Sequence, residues 1–194
     1  MLKIVSYYTS ATPYEEIAKT HLIPSLDRWN LTNNIQEVEN LGNWKNNTDF
    51  KPKFLLEELK YEEEVCWIDV DATIEEYPTL LSEIPPEYPI ALHYLDWRKQ
   101  YGYHEERKEA LSGTMILRKS AIPLIEEWIR LCKDYSWEQK ALEQAIKNLG
   151  ITPYELPPEY CCVVTRDYKI PEYIPKPVIV HWQASRKYKR LRIL

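Results

Sequence analysis

The stretch VCWIDVDATIEEYP, residues 65–78, decides how the rest of the chain is read. Its first four residues form an apolar, aromatic run of the kind that builds a buried strand, and the run ends on two aspartates one residue apart, Asp69 and Asp71. Burying a carboxylate is costly unless it is paired or bound to a cation. Two carboxylates at i and i+2 past a strand end fit two arrangements. Either they cap a turn, with Asp71 just ahead of a possible short helix over 73–76, or they converge on one hard divalent cation of the kind shared with substrate phosphates.

Working outward, residues 3–7 (KIVSY) alternate as a strand does. After a polar turn, residues 14–29 carry helical spacing (Ile17, Ala18, His21, Leu22), with Pro24 expected to kink or break the helix. Residues 35–38 read as a second strand, 54–59 as a helix and 62–68 as the third strand. This β-α-β-α-β order predicts a mostly parallel sheet with helices on its faces. Ligands of such sheets bind at the carboxyl ends of the strands, where Asp69 and Asp71 lie. Further on, 90–94 and 114–117 read as strands, with a charged, aromatic loop or short helix over 101–110 between them. Helices are expected over 122–133 and 137–149, the second stopped by Gly150. Short strands follow at 161–164 and 178–181, and with no repeat or linker the chain reads as one domain, 1–194.

Of the 194 residues, 44% are hydrophobic and 28% charged, the balance of a folded, non-membranous protein. No apolar run approaches the roughly 18 residues of a membrane span. The opening MLKIVSYYTS is too short and polar for a signal peptide, so a cytoplasmic location of bacterial or phage type is expected. Cys66, Cys132, Cys161 and Cys162 form no CxxC pair and are expected to be buried free thiols. The net charge of −5 offers no global attraction to nucleic acid; the exception is the tail, where Arg186, Lys187, Lys189, Arg190 and Arg192 crowd together. Fifteen tyrosines and seven tryptophans stand against four glycines, which suits either core packing or a cleft that holds rings.

Three further segments carry chemistry. In VIVHWQASRKYK, residues 178–189, His181 follows a β-branched strand and precedes the basic cluster; it offers one imidazole to a cation that accepts mixed ligands, such as manganese. In ALSGTMIL, 110–117, Gly113 marks a tight turn or a place where a sugar approaches the backbone. In SWEQKALEQAI, 136–146, Ser136 is a possible helix cap, and Glu138 and Gln139 either complement the helix dipole or reach a ligand.

Taken in this order, the Asp69–Val70–Asp71 strand end, the SGTMIL segment, Glu138–Gln139 and the His181-x5-Lys187 tail resemble a GT-A-type glycosyltransferase. The tail is nearest to the retaining, galactosyltransferase-like branch, whose pattern is H-x-x-G-x-x-K. It departs at Ala184, where that branch has Gly, and at Tyr188–Lys189, where it has Pro-Trp. The resemblance implies an α/β, single-domain GT-A (Rossmann-like) fold with a mixed, mostly parallel central sheet and helices on both faces. It implies a donor nucleoside-diphosphate sugar, UDP-sugar favoured, with its nucleoside over Tyr7, Tyr8 and Thr9 and a contact from Lys53. Asp71 and His181 would hold Mn²⁺ or Mg²⁺, Asp69 would bind the metal or the ribose, Gly113 would line the donor sugar and Lys187 would contact the diphosphate. An inverting enzyme would need a carboxylate base, for which Glu138 and Asp96 are candidates, whereas a retaining one needs little from a protein base. The acceptor, a glycan, a protein or a modified nucleic acid, would meet Asp96–Trp97–Arg98 and the 101–104 segment. Two other classes fit the carboxylate pair: a nucleotidyltransferase and a non-catalytic glycan- or nucleotide-binding module. The first is disfavoured because YYTSATPYEE, 7–16, contains no glycine for a phosphate loop.

Overall fold

The structure, a computed structural model, describes residues 2–190. The side chains of Lys189, Arg190 and Arg192 from the basic tail lie outside what is described. β1 (Lys3–Thr9) is buried along most of its length and leads into α1 (Pro13–Thr20). Thr12 caps this helix by accepting from the Tyr14 N–H, and Pro13 supplies the fixed φ of a first helical position. α2 (Leu22–Arg28) follows after a break at His21, not at Pro24 as expected. Pro24 is the third residue of α2, where its missing N–H has no intrahelical partner to lose.

β2 (Asn33–Val38) pairs parallel with β1. α3 (Trp44–Asp49), which periodicity did not predict, is capped by Asn43, and α4 (Lys51–Glu58) starts three residues earlier than expected. β3 (Glu64–Ile68) pairs parallel with β1 and ends at Asp69. The possible helix at 73–76 is instead β4 (Ala72–Ile74), whose Thr73 and Ile74 are β-branched. β5 (Ile90–Asp96) runs into α5 (Trp97–Tyr101), and β6 (Lys108–Arg118) is far longer than the expected 114–117. α6 (Ile122–Cys132) and α7 (Glu138–Leu149) match their expected spans closely. Gly150 closes α7 with a left-handed φ of 63°. Trp137, not Ser136, is the N-cap residue of α7, and it makes no side-chain cap. The short strands β7 (Tyr154–Glu155), β8 (Cys162–Val163) and β9 (Ile179–His181) precede α8 (Ala184–Arg190).

The central sheet has the order β2-β1-β3-β6-β5-β7. β1–β2, β1–β3 and β5–β7 are parallel and β3–β6 and β5–β6 antiparallel, so the sheet is mixed and mostly parallel. Strand alternation divides the core. Val5, Val65, Trp67, Met115 and Leu117 face α4, α6 and α7, while Ile4, Cys66, Ile68 and Ile116 face α1, α2 and the second sheet. That second sheet, β4-β9-β8, is what carries His181. The four cysteines are free and buried. No helix among the described residues is long and apolar enough to cross a membrane.

Trp128 is the largest fully buried side chain, and its indole N–H donates to the Glu138 carbonyl at 2.7 Å, tying α6 to the first turn of α7. Trp128→Ala is expected to lower unfolding free energy by about 3–5 kcal/mol, as other large-to-small core changes do. Urea denaturation followed by circular dichroism checks this; a loss under about 1 kcal/mol would show that α6 and α7 do not depend on this side chain.

Candidate active site

β3 delivers Asp69 to the end of the sheet, where its N–H donates to the Gly113 carbonyl of β6 at 2.9 Å. The Ala72 N–H then donates to the Asp69 carbonyl at 3.0 Å, closing a turn, and β4 pairs with β9 so that Ala72 faces His181. The chain after β9 folds back on the same turn. The Trp182 N–H donates to the Asp71 carbonyl at 3.0 Å, and the Ala184 N–H to Asp71 Oδ2 at 2.8 Å. One ligand atom from each of Asp69, Asp71 and His181 lies within 4.8 Å of the other two.

A Cβ at Gly113 would stand 2.8 Å from His181 Cε1 and 3.0 Å from Nδ1, so the imidazole packs directly on this backbone, and the tight turn expected there is instead the interior of β6. Thr114, the next residue, holds His181 Nε2 at 2.8 Å through its Oγ1. In the tautomer that donates Nε2–H to that hydroxyl, the lone pair falls on Nδ1, the arrangement a metal-ligating histidine needs. Burial lowers the His181 pKa to about 4, so the ring is neutral at pH 7.

A second cluster adjoins the first. The Lys51 ammonium is almost wholly buried, 2.9 Å from Asp69 Oδ1 and 3.0 Å from Glu138 Oε1, and it donates to the Ser112 carbonyl and hydroxyl. The Trp67 indole N–H also donates to Asp69 Oδ1, at 2.8 Å. Burial alone would push Lys51 down, but the charges of Asp69 and Glu138 outweigh it and hold the ammonium above its ordinary value. Glu138 is pushed up by its own burial, against the pull of Lys51. Glu138 Oε1 also accepts from Ser112 Oγ at 2.9 Å, whereas its Oε2 is buried and has no partner among the described residues.

These groups line a cavity of about 330 Å³. Its wall is flat and aromatic at Tyr8, Tyr14, Trp44 and Trp137 and charged at Lys51, Asp69, Asp71 and Glu138. Tyr7 and Thr9 also reach it, although Tyr7 is mostly core, stacked edge-on against Phe50 and Phe54 with its hydroxyl bonded to the Asn47 carbonyl. Gln139 is on the wall with both ends of its amide engaged. It accepts from the Ser112 N–H and donates to Glu109.

Five residues singled out from the sequence are not on the wall: Gly113 and His181, which pack against each other, and Lys53, Asp96 and Lys187. Lys53 is exposed on α4; Lys51 occupies the position expected of it. The signal was present in the spacing, since Lys51, Phe54, Leu55 and Glu58 form the buried stripe of α4 at i, i+3, i+4 and i+7. Asp96 is the N-cap of α5, accepting from the Arg98 and Lys99 N–H groups, and is therefore a helix cap in place of a base. Lys187 is exposed, its ammonium over the Tyr188 ring. Gln183 takes a left-handed φ of 56° and α8 begins at Ala184, so Ser185 meets the cavity while Lys187 lies about 200° further round the helix.

Burial, with the Asp69 charge beside it, raises the Asp71 carboxyl to about 7. A raised folded value means that the fold favours the protonated acid, so this group withdraws stability as pH rises from about 4 to about 7. His181 acts in the opposite sense, its contribution being lost as pH falls from about 6.5 to about 4. Asp71→Asn keeps an acceptor for the Ala184 N–H but cannot ionise. In chelator it is expected to be more stable than the parent by about 2 kcal/mol at pH 8, the gap closing by pH 4. Denaturation at the two pH values decides this, and a gap that does not change with pH would contradict it.

No protein-family model matches the chain, and no curated protein sequence does. Solved structures do. One is a glycosyltransferase involved in the glycosylation of the major capsid of PBCV-1, with a TM-score of 0.70 at 14% identity, covering 100% of this chain and 99% of that one. Mouse xyloside xylosyltransferase 1 matches with a TM-score of 0.58 at 12% identity, over 95% of this chain and 98% of its own. The galactosyltransferase LgtC, solved with donor and acceptor sugar analogs, matches with a TM-score of 0.57 at 9% identity, over 94% and 87%. With its mixed six-stranded sheet, and a strand-end carboxylate pair met by the histidine of the second sheet, this chain has the GT-A-type glycosyltransferase fold.

Proposed function

We propose that the chain transfers a glycosyl group from a nucleoside-diphosphate sugar, with UDP-sugars favoured, to an acceptor hydroxyl. The observation that carries this reading is the meeting of Asp69, Asp71 and His181 within 4.8 Å, with both carboxylates on the wall of an aromatic cavity. The donor set fits Mn²⁺ or Mg²⁺. Two carboxylates and a neutral imidazole suit manganese, and Asp71 Oδ2 and Asp69 Oδ1 are already tied to protein N–H groups, leaving the second oxygen of each for a cation. Bound there, the ion would supply Lewis-acid stabilisation to a leaving diphosphate.

The chain's own residues do the rest. Tyr8, Tyr14 and Trp44 present flat faces for a base and ribose in the same cavity as the carboxylates. Lys51 and Trp67 hold Asp69 in one orientation. Glu138 lies on the cavity wall with one oxygen, Oε2, unpartnered, and is the carboxylate assigned to accept a hydroxyl proton. Burial raises that carboxyl above its ordinary value, which makes it the stronger base.

A thermal-shift screen of nucleoside diphosphates and nucleotide sugars, with and without Mn²⁺, tests the reading. Binders at about 100 times their Kd should add about 2.7 kcal/mol of stability, and only with the ion present. Asp71→Ala is expected to slow Mn²⁺-dependent hydrolysis of the matching sugar nucleotide by about 100-fold or more. No shift with any nucleoside diphosphate, or full turnover by Asp71→Ala, would sink the proposal; binding without turnover would make the chain a binding module. Gly113→Ala is expected to displace His181 and weaken Mn²⁺ binding by about 10–100-fold, read by electron paramagnetic resonance of free Mn²⁺. Unchanged affinity there would remove His181 from the ligand set.

A further inference from the structure

A second cavity, of about 320 Å³, adjoins the first. Gln139, on the wall of the first, donates its amide to Glu109 Oε1, on the wall of the second, at 2.7 Å. Trp137 lines the first cavity and carries over its ring, at 4.2 Å, the ammonium of Lys140, which lines the second.

The second cavity is built mainly of charge: Arg107, Lys108, Glu109, Lys140, Glu143 and Lys147 all line it. Most of these are already satisfied. Glu109 accepts from the Trp97 indole at 2.7 Å as well as from Gln139. Glu143 pairs with Lys147 at 2.6 Å, and Lys108 with Glu155 at 3.7 Å. Arg107 and Lys140 are left without a carboxylate partner among the described residues. Both are oriented by tryptophans, Arg107 with its guanidinium 3.8 Å from the centre of the Trp97 ring and Lys140 over Trp137. Two cations held on aromatic faces in a concavity, within a chain of net charge −5, make a prepared anion site.

We propose that this cavity takes an anionic group, phosphate or carboxylate, carried by the acceptor, and that Arg107 and Lys140 determine that specificity. The proposal rests on the glycosyl-transfer reading above. In that reading the first cavity receives the donor, whose own charge is met at the Asp69–Asp71–His181 cluster. The Trp137–Lys140 and Gln139–Glu109 contacts between the two walls then set the acceptor's anion beside the donor.

Matched acceptors test this: a neutral disaccharide, its phosphate monoester and its uronate counterpart. The parent is expected to show a KM at least about 10-fold lower for a charged acceptor than for the neutral one, with the advantage shrinking as salt is raised. The Arg107→Gln/Lys140→Gln double variant should bring the ratio close to one, and Arg107→Lys, which keeps the charge, should retain most of it. Whichever of the phosphate and uronate arms gains identifies the anion. Equal KM values for charged and neutral acceptors, or a ratio unchanged in the double variant, would overturn the proposal. Inorganic phosphate and acetate are titrated in parallel, followed by the indole N–H resonances of Trp97 and Trp137. A saturable shift in the parent that the double variant loses supports the site, and no saturable shift overturns it. If the parent turns over no sugar nucleotide, the transfer reading fails by itself and this titration still decides whether the cavity binds anions.

Discussion

The Lys51 ammonium sits where almost no water reaches it, between Asp69 and Glu138 and against two oxygens of Ser112. An isolated ammonium in that place would cost several kcal/mol in lost hydration, and a single carboxylate partner rarely compensates. Here two carboxylates and two neutral acceptors converge on it. Because they come from β3, α7 and β6, while Lys51 starts α4, satisfying one charge brings four elements together. The cavity is the space that remains on the open side of that meeting. Asp69 divides its duties accordingly: one oxygen is fixed by Lys51 and Trp67, and the other is free to face outward.

The other half of the site comes from the small sheet. Antiparallel pairing of β4 with β9 sets Ala72 opposite His181, and the chain beyond β9 returns two N–H groups to Asp71. His181 reaches its place only because position 113 lacks a Cβ, and Thr114 then selects the ring orientation. One consequence is electrostatic. Asp71 and His181 are each shifted towards neutrality by burial, a state that suits a site completed by a cation better than one left with bare charges.

Much of this was legible from residues alone. The apolar run ending at Asp69 read as a strand, Gly150 as a helix stop, and Asp69, Asp71 and His181 as possible partners, because each signal is local in the chain. Other features misled for definite reasons. Pro24 looked like a helix break, yet a proline in a first turn loses no hydrogen bond. Lys53 looked like the donor-side lysine, whereas helical spacing turns Lys51 inward with Phe54 and Leu55. Asp96 looked like a base, but a carboxylate one residue ahead of a helix is drawn to its free N–H groups. Lys187 matched a six-residue spacing from His181 that counts positions and not turns of a helix.

By itself the sequence determined the α/β alternation, the strand end on which the carboxylates sit and the presence of an imidazole at the end of a later strand, since periodicity and β-branching act over a few residues. Only the tertiary structure decided which lysine is buried, that Gly113 makes room for His181, and that Gln139 links the walls of two cavities. Each of these depends on contacts between segments separated by roughly thirty to ninety residues. Close packing and the demand of buried charges for partners settle such contacts, and neither is written in the spacing of neighbouring residues.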